Sequence, residues 1–305
     1  MAYISTRRVS LGAMLRAPFA ALQWRLLLFW LLFFLLPAAV VSLPLWRALG
    51  ELLDHSVHAP AWASSFNAMM FGDVMAALGK QDGGLHGAAL AGLLVTVLLL
   101  PLLNGMVVAS GRAGRALGFS HLLQSGIIEY GRMFRLMLWS VLPYAIAIGG
   151  AALAFGVAHK QAAKAVLESQ ADAGAQVAMW VLGVLFVLAH AVLESARGAF
   201  IADLSLRSAT RALGRGIVQL LRRPLSTLIG YLVISAIGYL VLLAFGMGRI
   251  HTPAVGLGGF LLALLLSQLA VATMGWTHAA RIFALAEVAA SLQPSRRAGG
   301  LPPAL

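Results

Sequence analysis

A chain of 305 residues that is 61% hydrophobic and 10% charged, with a mean hydropathy of +0.89, does not have water as its main solvent, because soluble domains carry about 25% charged residues. The absence of cysteine excludes a disulfide frame, a thiolate metal site and a cysteine nucleophile. The net charge of +12, carried by 19 Arg and 3 Lys, fits basic loops facing anionic lipid headgroups better than it fits nucleic acid.

In chain order, a basic lead with Arg7, Arg8, Arg16 and Arg25 and no acid precedes an apolar run over residues 26–46. At about 1.5 Å per residue that run reaches roughly 30 Å, the thickness of a bilayer core, and both run and lead are longer than those of a cleaved signal peptide. Residues 47–86 form the next loop. Within it Trp62, Phe66, Met69 and Met70 share one helical face, which predicts an interfacial helix on the outer surface. Further spans are predicted over 87–109, 134–158, 176–196, 225–247 and 256–280. These runs are too long and too continuously apolar for soluble core helices, and they lack the two-residue alternation of a membrane barrel. Pro37, Pro101 and Pro143 lie inside spans and are candidate kinks. The fold class is therefore all-α, a polytopic membrane bundle of six spans with amphipathic arm helices.

Arg and Lys divide unevenly between the two sets of loops. The N-terminal lead, residues 110–135, residues 197–223 and the segment from Arg281 hold 17 of the 22, and the other set holds Arg47, Lys80, Lys160, Lys164 and Arg249. The positive-inside rule then puts both termini in the cytoplasm.

A repeat is visible before the odd spans. Ser10 precedes Arg25, Ser120 precedes Arg135 and Ser208 precedes Arg223 by the same fifteen residues, and the even spans close on Arg112, Arg197 and Arg281. The C-terminal end of a helix dipole favours such a cation. Three units follow, over 1–112, 113–197 and 198–281, with a tail over 282–305 in one transmembrane domain; chance matching in so Arg-rich a chain is the competing explanation. The third arm has the clearest pattern. Arg207, Arg211, Arg215 and Arg222 fall within about 80° at about 100° per residue, opposite Leu206, Leu213, Ile217 and Leu220, with Arg223 following. Such a helix contacts lipid headgroups through its arginines or docks a partner protein.

Ionisable groups inside spans are the functional candidates, because burying them is costly. His190, Glu194 and Arg197 share one face of the fourth span, His278 and Arg281 lie at similar depth in the sixth, and Asn104 and Gln268 are within reach of the same interior. These residues could build a proton or ion path. Alternatively, Glu194 neutralises Arg197 or Arg281 and the cluster clamps helices together. Asp54, His55 and His58 have ligand-like spacing without a metal motif, and neither a phosphate-binding loop nor a nucleophile elbow is present, so no cofactor is implied.

The residues Ala196-Arg197, Asp203, Arg207-Ser208-Ala209, Ala212-Leu213, Arg223-Pro224 and Tyr231-Leu232 resemble a group of poorly characterised bacterial six-span membrane proteins. More distantly the chain resembles the membrane domain beside some glycerophosphoryl diester phosphodiesterases, whose catalytic barrel has no counterpart here. The resemblance implies a bacterial inner-membrane protein and carries over no functional residues. Three functions are expected from these readings: a non-enzymatic scaffold or accessory subunit, a permease-like subunit, or a lipid-active enzyme for which no nucleophile can be named.

Overall fold

The structure, a computed structural model, describes residues 10–58, 67–80, 84–165, 167–253 and 256–293. These residues are all-helical, with six helices long and apolar enough to cross a membrane, so the chain is a multi-pass membrane protein. Helix α1 (Leu11–Ala20) is an arm, α2 (Trp24–Leu53) the first span, α3 (Ala68–Lys80) a short helix and α4 (Gly84–Ala113) the second span. A second arm, α5 (Phe119–Trp139), runs into α6 (Val141–Ala162) with only Ser140 between them, and α7 (Glu168–Ala202) returns. The third arm α8 (Ala209–Arg222) precedes α9 (Pro224–Ile250) and α10 (Gly256–Ser291).

Several boundaries follow from local chemistry. The Ser10 and Ser208 hydroxyls cap α1 and α8 by accepting from the Ala13 and Arg211 amides, and the Asn67 carboxamide caps α3. Pro224 opens α9, where its missing N–H costs nothing. Pro143 falls in the first turn of α6, three residues after the break at Ser140, whereas Pro37 and Pro101 are interior to α2 and α4. The tail predicted over 282–305 begins as helix: α10 continues to Ser291 with Ile282–Ala286, Val288 and Ala289 buried except where it exposes Glu287. Trp62, Phe66, Arg7, Arg8 and the end of the tail lie outside the described residues.

Helices α4, α7 and α10 meet one another at the centre, and α2, α6 and α9 pack outside them as the partners of three hairpins. Each arm crosses a central span from another hairpin: α1 lies on α10, α5 on α4 and α8 on α7. Lipid gives helices no hydrophobic reason to associate, so close approach at small residues and polar bonds must hold these crossings. The Trp276 indole donates to the Pro18 carbonyl at 2.8 Å between α10 and α1. A Cβ on Gly105 of α4 would stand 2.9 Å from the Gly126 carbonyl oxygen of α5. One on Gly216 of α8 would overlap the Val192 carbonyl and lie 3.0 Å from the Ala196 nitrogen of α7.

The fifteen-residue Ser–Arg spacing does not mark one structural position. Ser10 and Ser208 are caps, whereas Ser120 lies inside the first turn of α5, whose N-cap is Gly118. Burial is concentrated at the arm side of the central helices, in Leu103–Val108, Ala191–Ala196 and Ala279–Ala286. Towards the opposite ends the helices expose Leu90, Leu93, Trp180, Val184, Leu261 and Leu265, as lipid-facing surface requires.

Candidate functional site

Glu194 sits eight residues before the end of α7, about 12 Å along the axis at about 1.5 Å per residue, and is 0% exposed. Arg281 of α10 grips its carboxylate from one side, Nη2 donating to Oε1 at 2.9 Å and Nε standing 2.8 Å from Oε2. The Nε approach is out of line for a hydrogen bond and counts as an ion contact only. His278 Nδ1 lies 3.1 Å from Oε1, and its Nε2 lies 2.7 Å from the Asn104 carboxamide on α4. With Nδ1–H donating to Glu194, a neutral ring leaves Nε2 to accept, and the Asn104 carboxamide, whose two ends are isosteric, meets it through its NH₂.

Two groups of α9 complete the network. Tyr231 Oη is 2.9 Å from His190 Nδ1, and the Arg281 guanidinium lies 5.2 Å over the Tyr231 ring while Nη1 donates to Ser235 Oγ at 3.1 Å. His190 is the outlying member, 3.8 Å from Glu194. One carboxylate thus ties α4, α7, α9 and α10 together.

Of the residues singled out in the sequence, His190, Glu194, His278, Arg281 and Asn104 converge. Arg197 makes no hydrogen bond or ion-pair contact among the described residues and acts on Glu194 only through space, so the cation in contact with Glu194 is Arg281. Spacing along the fourth span made Arg197 a candidate and similar depth in the sixth made Arg281 one. Gln268 stands ten residues before His278, about 15 Å up α10, and makes no hydrogen bond with the network. Among the described residues no three His, Asp or Glu side chains gather as a metal site.

A second ion cluster was not legible as a site. Glu129, on α5 and only 5% exposed, accepts from Arg112 Nη1 at 2.6 Å and pairs with Arg132 at 3.1 Å, while Arg112 Nε donates to the Phe200 carbonyl of α7 at 2.8 Å. The available signal was that Glu129 is the single acid among the four arginines of residues 110–135.

The third arm divides differently from its sequence pattern. Arg207 and Leu206 precede α8, so the arginine arc on the helix is Arg211, Arg215 and Arg222, all exposed, with Arg223 as the C-cap. Its buried face is Ala209, Ala212, Leu213, Gly216 and Gln219, while Ile217 and Leu221 are exposed on a separate flank. The helix is therefore seated on protein by one side and leaves an apolar and a basic side open.

Asp203, just beyond α7, accepts from the Ser205 hydroxyl at 2.6 Å and from Arg215 at 2.6 Å. The Ser205 hydroxyl and then the Arg215 guanidinium pull its pKa down to about 2. A lowered carboxylate pKa stabilises the fold above the unfolded value of about 4, and that contribution is lost as pH falls towards 2. Because Arg215 is largely solvent-screened, Asp203→Asn is expected to cost under about 1 kcal/mol at neutral pH. It should also flatten the acid limb of an unfolding-temperature profile between about pH 4 and 2, leaving the profile above pH 5 parallel to wild type.

Comparison with known proteins returns no matching family model, no matching curated protein and no matching solved structure. The likeness drawn from the arm and span-end residues rests on those residues alone.

Proposed function

We propose that the chain is a non-enzymatic scaffold or accessory subunit of a membrane assembly, placed in a bacterial inner membrane with both termini in the cytoplasm. The observation that carries this reading is the sealing of Glu194: a fully buried carboxylate held by a cation and an imidazole of α10, the imidazole bound in turn by an amide of α4, is built as a clamp. The open side of α8 is the face offered to a partner. Photocrosslinkers at Ile217 and Leu221 are expected to capture one and the same protein, and one at Leu153, on the exposed surface of α6, to capture none. Lipid adducts alone from all three positions would overturn the scaffold reading.

The basic loops support the orientation. Reporter fusions after Lys80 and Lys164 should report the periplasm and one after Gly216 the cytoplasm; a cytoplasmic signal at Lys80 would reverse the topology.

One observation favours a permease-like reading. A crevice of about 520 Å³ between α9 and α10 reaches the edge of the network, with Ser235, Thr277 and Arg281 in its lining. Three of its hydroxyls are already engaged, Ser235 with the Tyr231 carbonyl, Thr277 with the Thr273 carbonyl and Thr273 with the Leu269 carbonyl, which leaves Tyr239 and Arg281 as its groups for a polar solute.

A further inference from the structure

A separate cavity of about 530 Å³ opens on the arm side of the bundle, between α1, the end of α4, the end of α7 and α10. That volume lies in the range of about 300–1,000 Å³ typical of ligand sites. Arg16 of α1, Arg115 beyond α4 and Glu287 of α10 line it. All three are exposed, and none makes a hydrogen bond or ion pair among the described residues. Arg115 is brought there by Gly114, whose φ of +61° ends α4 in a left-handed turn that other residues adopt only with strain.

The cavity is amphipathic. Phe19, Leu22, Ile201 and Phe283 supply apolar lining, and Phe19 and Leu22 are at the same time 76% and 58% exposed on the flank of α1. An exposed apolar flank beside unpaired charges is the signature of a helix lying at headgroup depth. Two guanidiniums and one carboxylate around one cavity call for a ligand with a phosphate and an ammonium. A phosphate alone would leave Glu287 facing an anion, and an amine alone would leave both arginines without a counter-charge.

We propose that this cavity binds one phospholipid whose headgroup joins a phosphate diester to a primary ammonium, as in phosphatidylethanolamine. The phosphate lies between Arg16 and Arg115, the ammonium donates to Glu287, and the acyl chains leave past Phe19 and Leu22. The inference does not depend on the scaffold reading, because it uses none of the Glu194 network and none of the open side of α8.

The test is lipid retention by native mass spectrometry of the full chain, taken from nanodiscs of equal parts phosphatidylethanolamine, phosphatidylglycerol and phosphatidylcholine. The wild type is expected to retain one phosphatidylethanolamine, with phosphatidylcholine disfavoured because its quaternary ammonium has no hydrogen to donate. Arg16→Gln with Arg115→Gln should lower retention by about tenfold or more. Glu287→Gln should abolish the preference for phosphatidylethanolamine over phosphatidylglycerol while lipid is still retained. Arg211→Gln, on the open side of α8, should change neither. Unfolding temperatures in lipid-free detergent identify any variant that has lost its fold, and Glu287→Gln, at an exposed position, keeps the specificity test intact if the double variant is lost. Equal retention of phosphatidylethanolamine and phosphatidylglycerol by the wild type overturns the proposal. So do unchanged retention in both the double variant and Glu287→Gln, and complete displacement of the lipid by millimolar inorganic phosphate.

Discussion

Glu194→Gln is expected to lower the stability of the detergent-solubilised protein by about 3–5 kcal/mol, the range for removing one partner of a buried ion pair. The substitution leaves Arg281 charged among α7, α9 and α10 with Ser235 and the Tyr231 ring as its remaining partners. Arg281→Met should cost a similar amount by leaving the carboxylate unpaired. The double variant should be milder than the sum of the two, with a coupling above about 1 kcal/mol. Arg197→Gln combined with Glu194→Gln should couple less, since Arg197 acts on Glu194 through space without an ion-pair contact. A carrier role predicts the reverse pattern: Glu194→Gln would leave folding intact and abolish function, and loss of the arginine would rescue nothing. Denaturation midpoints of the single and double variants distinguish these patterns.

Gly216→Ala should have the next largest effect, a loss of about 1–3 kcal/mol, although alanine is the better helix former. The new Cβ would overlap the Val192 carbonyl and press on the Ala196 backbone, neither of which is a flexible side-chain end, so α8 must lift from α7. Gly214→Ala, two residues away with nothing within 4 Å of the added carbon, should gain up to about 1 kcal/mol from propensity. The opposite signs make the pair informative, and limited proteolysis of α8 in each variant reads the same contrast. Loss of stability in both would mean that arm helicity, and not its seat on α7, is what matters.

Six spans, their order and the side of the bundle that gathers arginine were legible because each follows from length, apolar continuity and charge, which are additive along the chain. Convergence of His190, Glu194, His278 and Asn104 could be anticipated only as coarse depth, each lying in the arm-side half of its helix. Which arginine serves Glu194 was not legible, because Arg197 is the neighbour by helical spacing while Arg281 reaches it from another helix. The same limit hid Glu129, whose partner Arg112 lies across an arm crossing. The amphipathic reading of the third arm found its arginines but divided it into two faces. In the structure it has three, because a helix between protein, lipid and water meets three media.

The central claim, that the Glu194 network is a sealed structural clamp, is most directly tested by Ser195→Cys. The chain has no cysteine of its own, and Ser195 adjoins Glu194, is 0% exposed and has no partner for its hydroxyl among the described residues, so a thiol replaces it with little change of shape. A membrane-impermeant, charged thiol reagent applied from either side of sealed vesicles is predicted to leave Ser195→Cys unmodified until the protein is denatured, while Ser205→Cys in the exposed turn after α7 is modified from one side. Modification of Ser195→Cys in the folded protein from either side would show water reaching the buried turn of α7 that carries Glu194 and contradict the clamp.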